Sequence, residues 1–567
     1  MEKNKLNGKK IPWWKKTTIY QIYPRSFKDS TGNGIGDLKG IISKLDYIQD
    51  LGVETIWFSP FYSSPQGDFG YDISDYLNIA PEYGTMNDFD DLVKNIHNRK
   101  MKIVMDLVLN HTSAQHKWFI ESKKSRDNPK RNWYVWKDGK KPFGKAPPNN
   151  WKSYVTGSGW HYDSHTDQWY WASFLPFQPD LNYRNPDVKE NMMEMIRFWL
   201  RKGVDGFRLD ILGAVYEDPK FRDNPLSWKL IPSDESMDML FRSSKYTTNY
   251  PDNYEFAKDL REVIDEFTDP PRFLLGEVSG SREELRNFCG KDSPDGLNLV
   301  FLFESMGAQL TAKNFRKLIK DFEKYFPDPY IPTWVFSNHD IIRRISRFKE
   351  QGAIEKAKIN TAFQLTVRGV PTIYYGEEIA MRQNFLPLEK SLDAVSFKFK
   401  KFPRIIRNLL LKITNYAIHR DGCRTPMQWN RTETAGFSPS RTDTWLPVHP
   451  NYKLVNVENS IEDKDSLFYC YQRFLKLRQK TPALNSGNIT LLDAKKIPKN
   501  ILGYTRSAIF NGNEQTVHVY LNFGNKLVSF QIPEPNFHLI ISTSISSQPL
   551  NGQNITLQPF EGIILGD

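Results

Sequence analysis

Eight short apolar runs, rich in β-branched and aromatic residues, recur along the chain with longer amphipathic stretches between them. They read TIYQIY (18–23), VETIWF (53–58), KIVMDLVL (102–109), VDGFRL (204–209), RFLLGE (272–277), LNLVFLF (297–303), PTWVFS (332–337) and VPTIYY (370–375). Runs this short and this continuously apolar predict strands covered on both faces. The stretches LKGIISKLDYIQDLG and VKENMMEMIRFWLRKG carry apolar residues at helical spacing, the second opened by Asn185-Pro186 and closed by Gly203. Eight strands alternating with helices predict an α/β fold, a (β/α)8 barrel.

Two regions break the alternation. Between Leu109 and Val204 lies an insert rich in Trp, Gly, Asn and Pro, with seven of the 15 Trp between positions 118 and 171. A loop this long normally has a function. After Thr481 the pattern changes to the alternating runs GYTRSA, QTVHVYLNF, KLVSFQI, FHLIIST and NITLQPF, separated by pairs such as Asn511-Gly512 and Asn551-Gly552. That is the signature of a small antiparallel β domain.

In such a barrel the C-terminal strand ends carry chemistry and the opposite rim carries stability. Those ends hold Asp106 and His111 after the third run, Arg208 and Asp210 after the fourth, Glu277 after the fifth, and His339 with Asp340 after the seventh. In GVDGFRLDI, strand alternation puts Gly206, Arg208 and Asp210 on one face. A cation beside a carboxylate is costly to bury, so a solvated cleft is the expected setting. A structural ion pair and a catalytic one both remain open at this point.

Composition narrows the function. The chain of 567 residues is 39% apolar and 25% charged, and its 14% aromatic content suits the flat faces of rings and sugars. The net charge of +11 is spread along the chain rather than gathered into a nucleic-acid footprint. Basic residues concentrate in FKFKKFPRIIRNLLLK (397–412). Its apolar stripe fits a helix packed on the protein body with its polar face in water better than a membrane-surface helix. Cys289, Cys423 and Cys470 are odd in number and far apart, indicating neither a disulfide framework nor a zinc site. The first residues lack the apolar core expected of a signal peptide, and no run reaches the roughly 18 apolar residues of a membrane span. A cytoplasmic protein is the expectation.

Neither a phosphate-binding Gly loop nor a serine elbow is present, which leaves carboxylate chemistry. Paired carboxylates are the usual apparatus of glycoside hydrolysis. DLVLNH, GFRLD, GEV and SNHD, in this order, closely resemble the four signature regions of the α-amylase family of glycoside hydrolases. SPQGDFGYDISDY, QPDLN and RDGCRTPMQWN are similar to its α-glucosidase and oligo-1,6-glucosidase branch. The resemblance implies a barrel over 1–110 and 181–483, an inserted domain B over 111–180 and a C-terminal β domain over 484–567.

It also implies roles. Asp210 would be the nucleophile of a retaining exo-α-glucosidase, Glu277 the acid and base, and Asp340 the residue that orients the sugar's 2- and 3-hydroxyls. Arg208 would hold Asp210 ionised, His111 and His339 would hydrogen-bond the same sugar, Asp68 with Arg424 would grip its far edge, and Tyr71 would be a stacking platform. Ile211, β-branched like the Val of α-1,6-preferring relatives, points to isomaltose-type oligosaccharides, with α-1,4 linkage the alternative. The loop DSTGNGIGD occupies the place of a family calcium site, with oxygen ligands from Asp29, Thr31, Asn33, Ile35 and Asp37. A bound calcium and a metal-free polar turn are both open there, and no other cofactor is implied. The expected partner is a small oligosaccharide, with no nucleic acid and no membrane, in a monomer or weak homo-oligomer. Rival readings are a transglucosylase or sucrose isomerase sharing the intermediate, and a non-catalytic binding subunit.

Overall fold

A computed structural model describes residues 5–566 apart from 7–8, 141–143, 156, 229–237, 239–242, 349–350, 401, 404, 408–418, 440–441, 511, 533–536 and 548. All eight apolar runs form strands of one parallel sheet: β1 (Ile19–Ile22), β2 (Thr55–Phe58), β3 (Lys102–Val108), β4 (Gly206–Asp210), β5 (Phe273–Gly276), β6 (Leu299–Val300), β7 (Thr333–Val335) and β8 (Val370–Tyr374). Their order is β6-β5-β4-β3-β2-β1-β8-β7. Thr333 links the two ends of this order: its hydroxyl accepts from Leu302 N at 3.0 Å and donates to Val300 O at 2.8 Å. Both faces are covered, which is why the strands read as continuous apolar runs rather than alternating ones.

The helix over Pro186–Arg201 has the predicted ends. Asn185 caps it by accepting from Asp187 N, Pro186 fills its first turn, and Gly203 leaves it at φ 98°. Its buried face includes Met192, Ile196, Trp199 and Leu200. The stretch LKGIISKLDYIQDLG departs from a single helix. It forms Leu38–Ile42 and Leu45–Leu51, with a break at Ser43 and Lys44.

The insert contains a three-stranded antiparallel sheet built from Trp136–Lys137, Gln168–Trp171 and Trp160–Asp163. Its two ends meet, with His111 bridged to Asp180 and Leu181 N bonded to Asn110 O at 3.0 Å. Trp151, Trp160 and Trp171 form its buried core with Val135. Most of these indoles therefore stabilise the insert rather than present faces to a ligand. The tail forms a five-stranded antiparallel sheet, led by the hairpin of Ile501–Phe510 and Asn513–Asn522, and a three-stranded one.

The basic stripe differs from expectation. Phe397–Lys400 is helical, but Ile405 is 82% exposed and Ile406 43%, so the described start of the stripe is not packed on the body. Leu409, Leu410 and Ile413 lie outside the described residues. Among the described residues no helix is long and apolar enough to cross a membrane.

Candidate active site

The parallel register sets Arg208 of β4 beside Asp106 of β3, with both side chains turned inward. Arg208 Nη1 lies 2.7 Å from Asp106 Oδ1 and 2.8 Å from Asp210 Oδ1, while Nη2 pairs with Glu277. One guanidinium thus gathers three carboxylates from three strand ends. Glu277 is held there by its backbone, its N–H donating to Leu209 O at 2.8 Å and its C=O accepting from Leu212 N at 3.1 Å. Arg208 also sits over the Trp57 ring at 5.2 Å.

This cluster is buried rather than set in a solvated cleft, with Arg208 1% and Asp210 7% exposed. It survives burial because every acid meets the same cation. Sharing has a consequence for charge. Burial pushes Asp210 up to about 7 against the pull of Arg208, and burial raises Asp106 as well. Arg208 favours the ionised form of Asp210, in the implied direction, while burial and the neighbouring Asp106 oppose it.

A second cluster adjoins the first. Asp340 Oδ1 accepts from Arg424 Nη2 at 2.7 Å and from Arg420 Nη1 at 3.4 Å, and its Oδ2 lies 3.2 Å from His339 Nε2. Burial opposes its charge, yet the neighbouring cationic groups hold Asp340 well below the usual carboxylate range. Burial also drives His339 well below its ordinary value, so this ring is neutral at pH 7 and the two arginines carry the effect. Gln21 Nε2 meets His339 Nδ1 at 2.8 Å and the Tyr71 hydroxyl meets Nε2 at 2.6 Å. With the glutamine amide as donor, the proton of His339 is on Nε2.

The Tyr71 ring lies parallel to His339 at 5.5 Å between centroids, and its hydroxyl donates to Asp106 Oδ2 at 3.2 Å. His111 Nε2 lies 3.1 Å from Tyr71 O and must donate, since a carbonyl only accepts. Burial lowers His111 to about 4, so it is neutral too.

At the far edge a further arginine takes part. Asp68 Oδ1 pairs with Arg420 Nη2 at 2.7 Å, not with Arg424, whose carboxylate partner is Asp340. Gln178 Nε2 supports the other Asp68 oxygen at 3.2 Å. Arg420, Gln21 and Gln178 belong to this constellation but were not among the residues singled out by the sequence. Arg420 opens RDGCRTPMQWN and Gln178 opens QPDLN, so the signal for both was position within a motif; for Gln21, inside a buried strand, there was none.

In the loop over 29–37 the side-chain oxygens of Asp29, Asn33 and Asp37 meet nearby donors. Asp29 Oδ1 accepts from Thr31 N at 2.9 Å, Thr31 Oγ1 at 3.2 Å and Gly32 N at 2.7 Å, and Oδ2 accepts from Gly34 N at 2.9 Å. Asp37 accepts from Ser30 N and Oγ and from Gly40 N, each at 2.7 Å, and the Asn33 side chain accepts from Ile35 N at 2.8 Å. These oxygens turn toward nearby N–H and O–H donors, which compete with a cation for them. Among the described residues no group of three or more His, Cys, Asp or Glu could hold a metal ion.

Residues 21–487 match the catalytic domain of the α-amylase family. The chain is 38% identical to the oligo-1,6-glucosidase of Parageobacillus thermoglucosidasius over 97% of its own length and 98% of that protein's. Among solved structures it is similar to an α-glucosyl transfer enzyme, with a TM-score of 0.87 and 33% identity over 98% of this chain and 100% of the other. It is also similar to the trehalulose synthase of Pseudomonas mesoacidophila, with a TM-score of 0.85 and 33% identity over 98% and 99% of the two chains.

Proposed function

The chain belongs to the α-amylase family of glycoside hydrolases, and on that premise we propose that it is a retaining exo-α-glucosidase acting on short oligosaccharides, with isomaltose-type α-1,6 linkages preferred. One observation carries the reading: Asp210 and Glu277, at the ends of neighbouring strands, meet the two terminal nitrogens of the same guanidinium.

In the first step Asp210 Oδ attacks the anomeric carbon as the bond to the leaving oxygen breaks, and Glu277 delivers its proton to that oxygen. Glu277 therefore leaves Arg208 for the glycosidic oxygen, and Arg208 is left to balance Asp210 and Asp106. In the second step Glu277 removes a proton from water, water attacks the same carbon, and Asp210 is released. Asp340, kept charged by Arg424 and Arg420, accepts hydrogen bonds from the 2- and 3-hydroxyls. His111 and His339, both neutral, hold Tyr71 against the sugar through its carbonyl and its hydroxyl. Tyr71 provides the apolar face, and the Asp68–Arg420–Asp340 chain of ion pairs closes the far end, so that a single terminal glucose is removed.

Incubation with isomaltose and maltose, with products followed by chromatography, tests this: glucose with retained α configuration is expected from isomaltose first. No glucose from either sugar would remove the proposal. The likeness to a glucosyl transfer enzyme and a trehalulose synthase supports a second reading, in which a sugar replaces water in the second step. A sucrose isomer as the main product from sucrose would favour it.

A further inference from the structure

We propose that Asp393 is a positioning residue, which fixes Arg420 so that one guanidinium can bridge Asp68 and Asp340. The inference rests on the glucosidase reading above and assigns a part to a residue that none of the family motifs contains.

Asp393 is fully buried. Its Oδ2 accepts from Arg420 N at 2.8 Å and from Arg420 Nε at 3.0 Å, and its Oδ1 accepts from Arg420 Nη2 at 2.7 Å. It thus grips the Nε and Nη2 edge of the guanidinium in a two-pronged pair while also fixing that residue's backbone. Such forked pairs set orientation as well as charge. The same guanidinium also reaches the sugar site, where Nη2 donates to Asp68 at 2.7 Å and Nη1 to Asp340 at 3.4 Å. A long arginine side chain left between two carboxylates could settle on either; the third carboxylate behind it decides.

Asp393 is itself fixed, its Oδ1 accepting from Val395 N at 3.1 Å and its N–H donating to the Ser391 hydroxyl at 3.2 Å. The arrangement also gives the basic segment a role. Asp393 and Arg420 flank that segment in the chain, so this buried pair holds its two ends together beside the sugar site.

The experiment is a cycle of Asp393→Asn, Arg420→Met and the double variant, assayed with 4-nitrophenyl α-glucoside and with its 4-deoxy analogue, which lacks the far-edge hydroxyl. Asp393→Asn is expected to lower kcat/KM by about 100-fold, the scale of a misplaced positioning group, and Asp393→Glu to recover part of it. The loss should shrink to a few-fold with the 4-deoxy substrate, and the double variant should be no worse than Arg420→Met alone. Wild-type kinetics in Asp393→Asn, equal losses on both substrates, or a further loss in the double variant would overturn the proposal. If Asp393→Asn fails to fold, the double variant, which leaves no charge unpaired at this pair, still compares with Arg420→Met. The glucosidase reading fails separately, if the wild type releases glucose from no α-glucoside. Asp393 is then judged by the calorimetric affinity of variant and wild type for a glucose-shaped iminosugar.

Discussion

Arg208 precedes Asp210 by two residues on one strand, and its Nη1 lies 2.8 Å from Asp210 Oδ1. Strand alternation makes the two side chains neighbours, and the partner strand adds Asp106 to the same nitrogen. The pair is therefore the centre of a charge cluster with more acids than cations.

A pH dependence follows from that imbalance. Burial raises Asp210 to about 7, and the attacking form is the ionised one, so kcat/KM should fall as pH drops through about 7. Folding runs the other way. A carboxyl raised above its unfolded value gives stability that is full below the unfolded pKa and lost as pH rises through the folded one. Asp210→Asn should cost at least about a thousandfold in turnover and should flatten the pH dependence of Tm between about 4 and 7. A kcat/KM profile unchanged down to pH 5 would contradict the shared-cation picture.

Cys423 should not report on the active site through its thiol. It is 1% exposed, burial pushes its thiol up to about 12, and its Sγ donates to His339 O at 3.1 Å. Thiolate is the reactive form. Iodoacetamide at pH 8 should leave activity intact in the native protein and label Cys423 only after denaturation, read by peptide mass spectrometry.

The loop over 29–37 predicts indifference to chelators. With the carboxylates of Asp29 and Asp37 bonded to loop amides, EDTA and added calcium should each leave Tm within about 1 °C. A rise of several degrees with millimolar calcium would show preferential binding to the folded state and return the loop to the calcium sites.

Ile211 follows the nucleophile and adopts φ 35°, ψ 55°, a left-handed conformation unusual for a β-branched residue. Ile211→Ala should raise the ratio of maltose to isomaltose turnover several-fold, in line with the small residues of α-1,4-preferring relatives. An unchanged ratio would detach linkage choice from this position.

The strands and most of the acids were legible in the sequence because they depend on local facts. Eight apolar runs need two covered faces, and parity along GFRLD puts Arg208 and Asp210 on one side whatever surrounds them. The chemistry of DLVLNH, GFRLD, GEV and SNHD could be placed because each motif sits at a strand end, and the barrel brings all strand ends to one rim. What the sequence could not determine was partnership between side chains far apart in the chain. Asp68 meets Arg420, and Asp393 stands behind Arg420, because of how the loops after β2 and β8 pack. The tryptophans of the insert turned out mostly to pack on one another, since a small sheet without a large core needs their area. Charge state was likewise a tertiary matter: one guanidinium beside one carboxylate predicts a lowered pKa, whereas burial of Asp210, with Asp106 beside it, outweighs that pull.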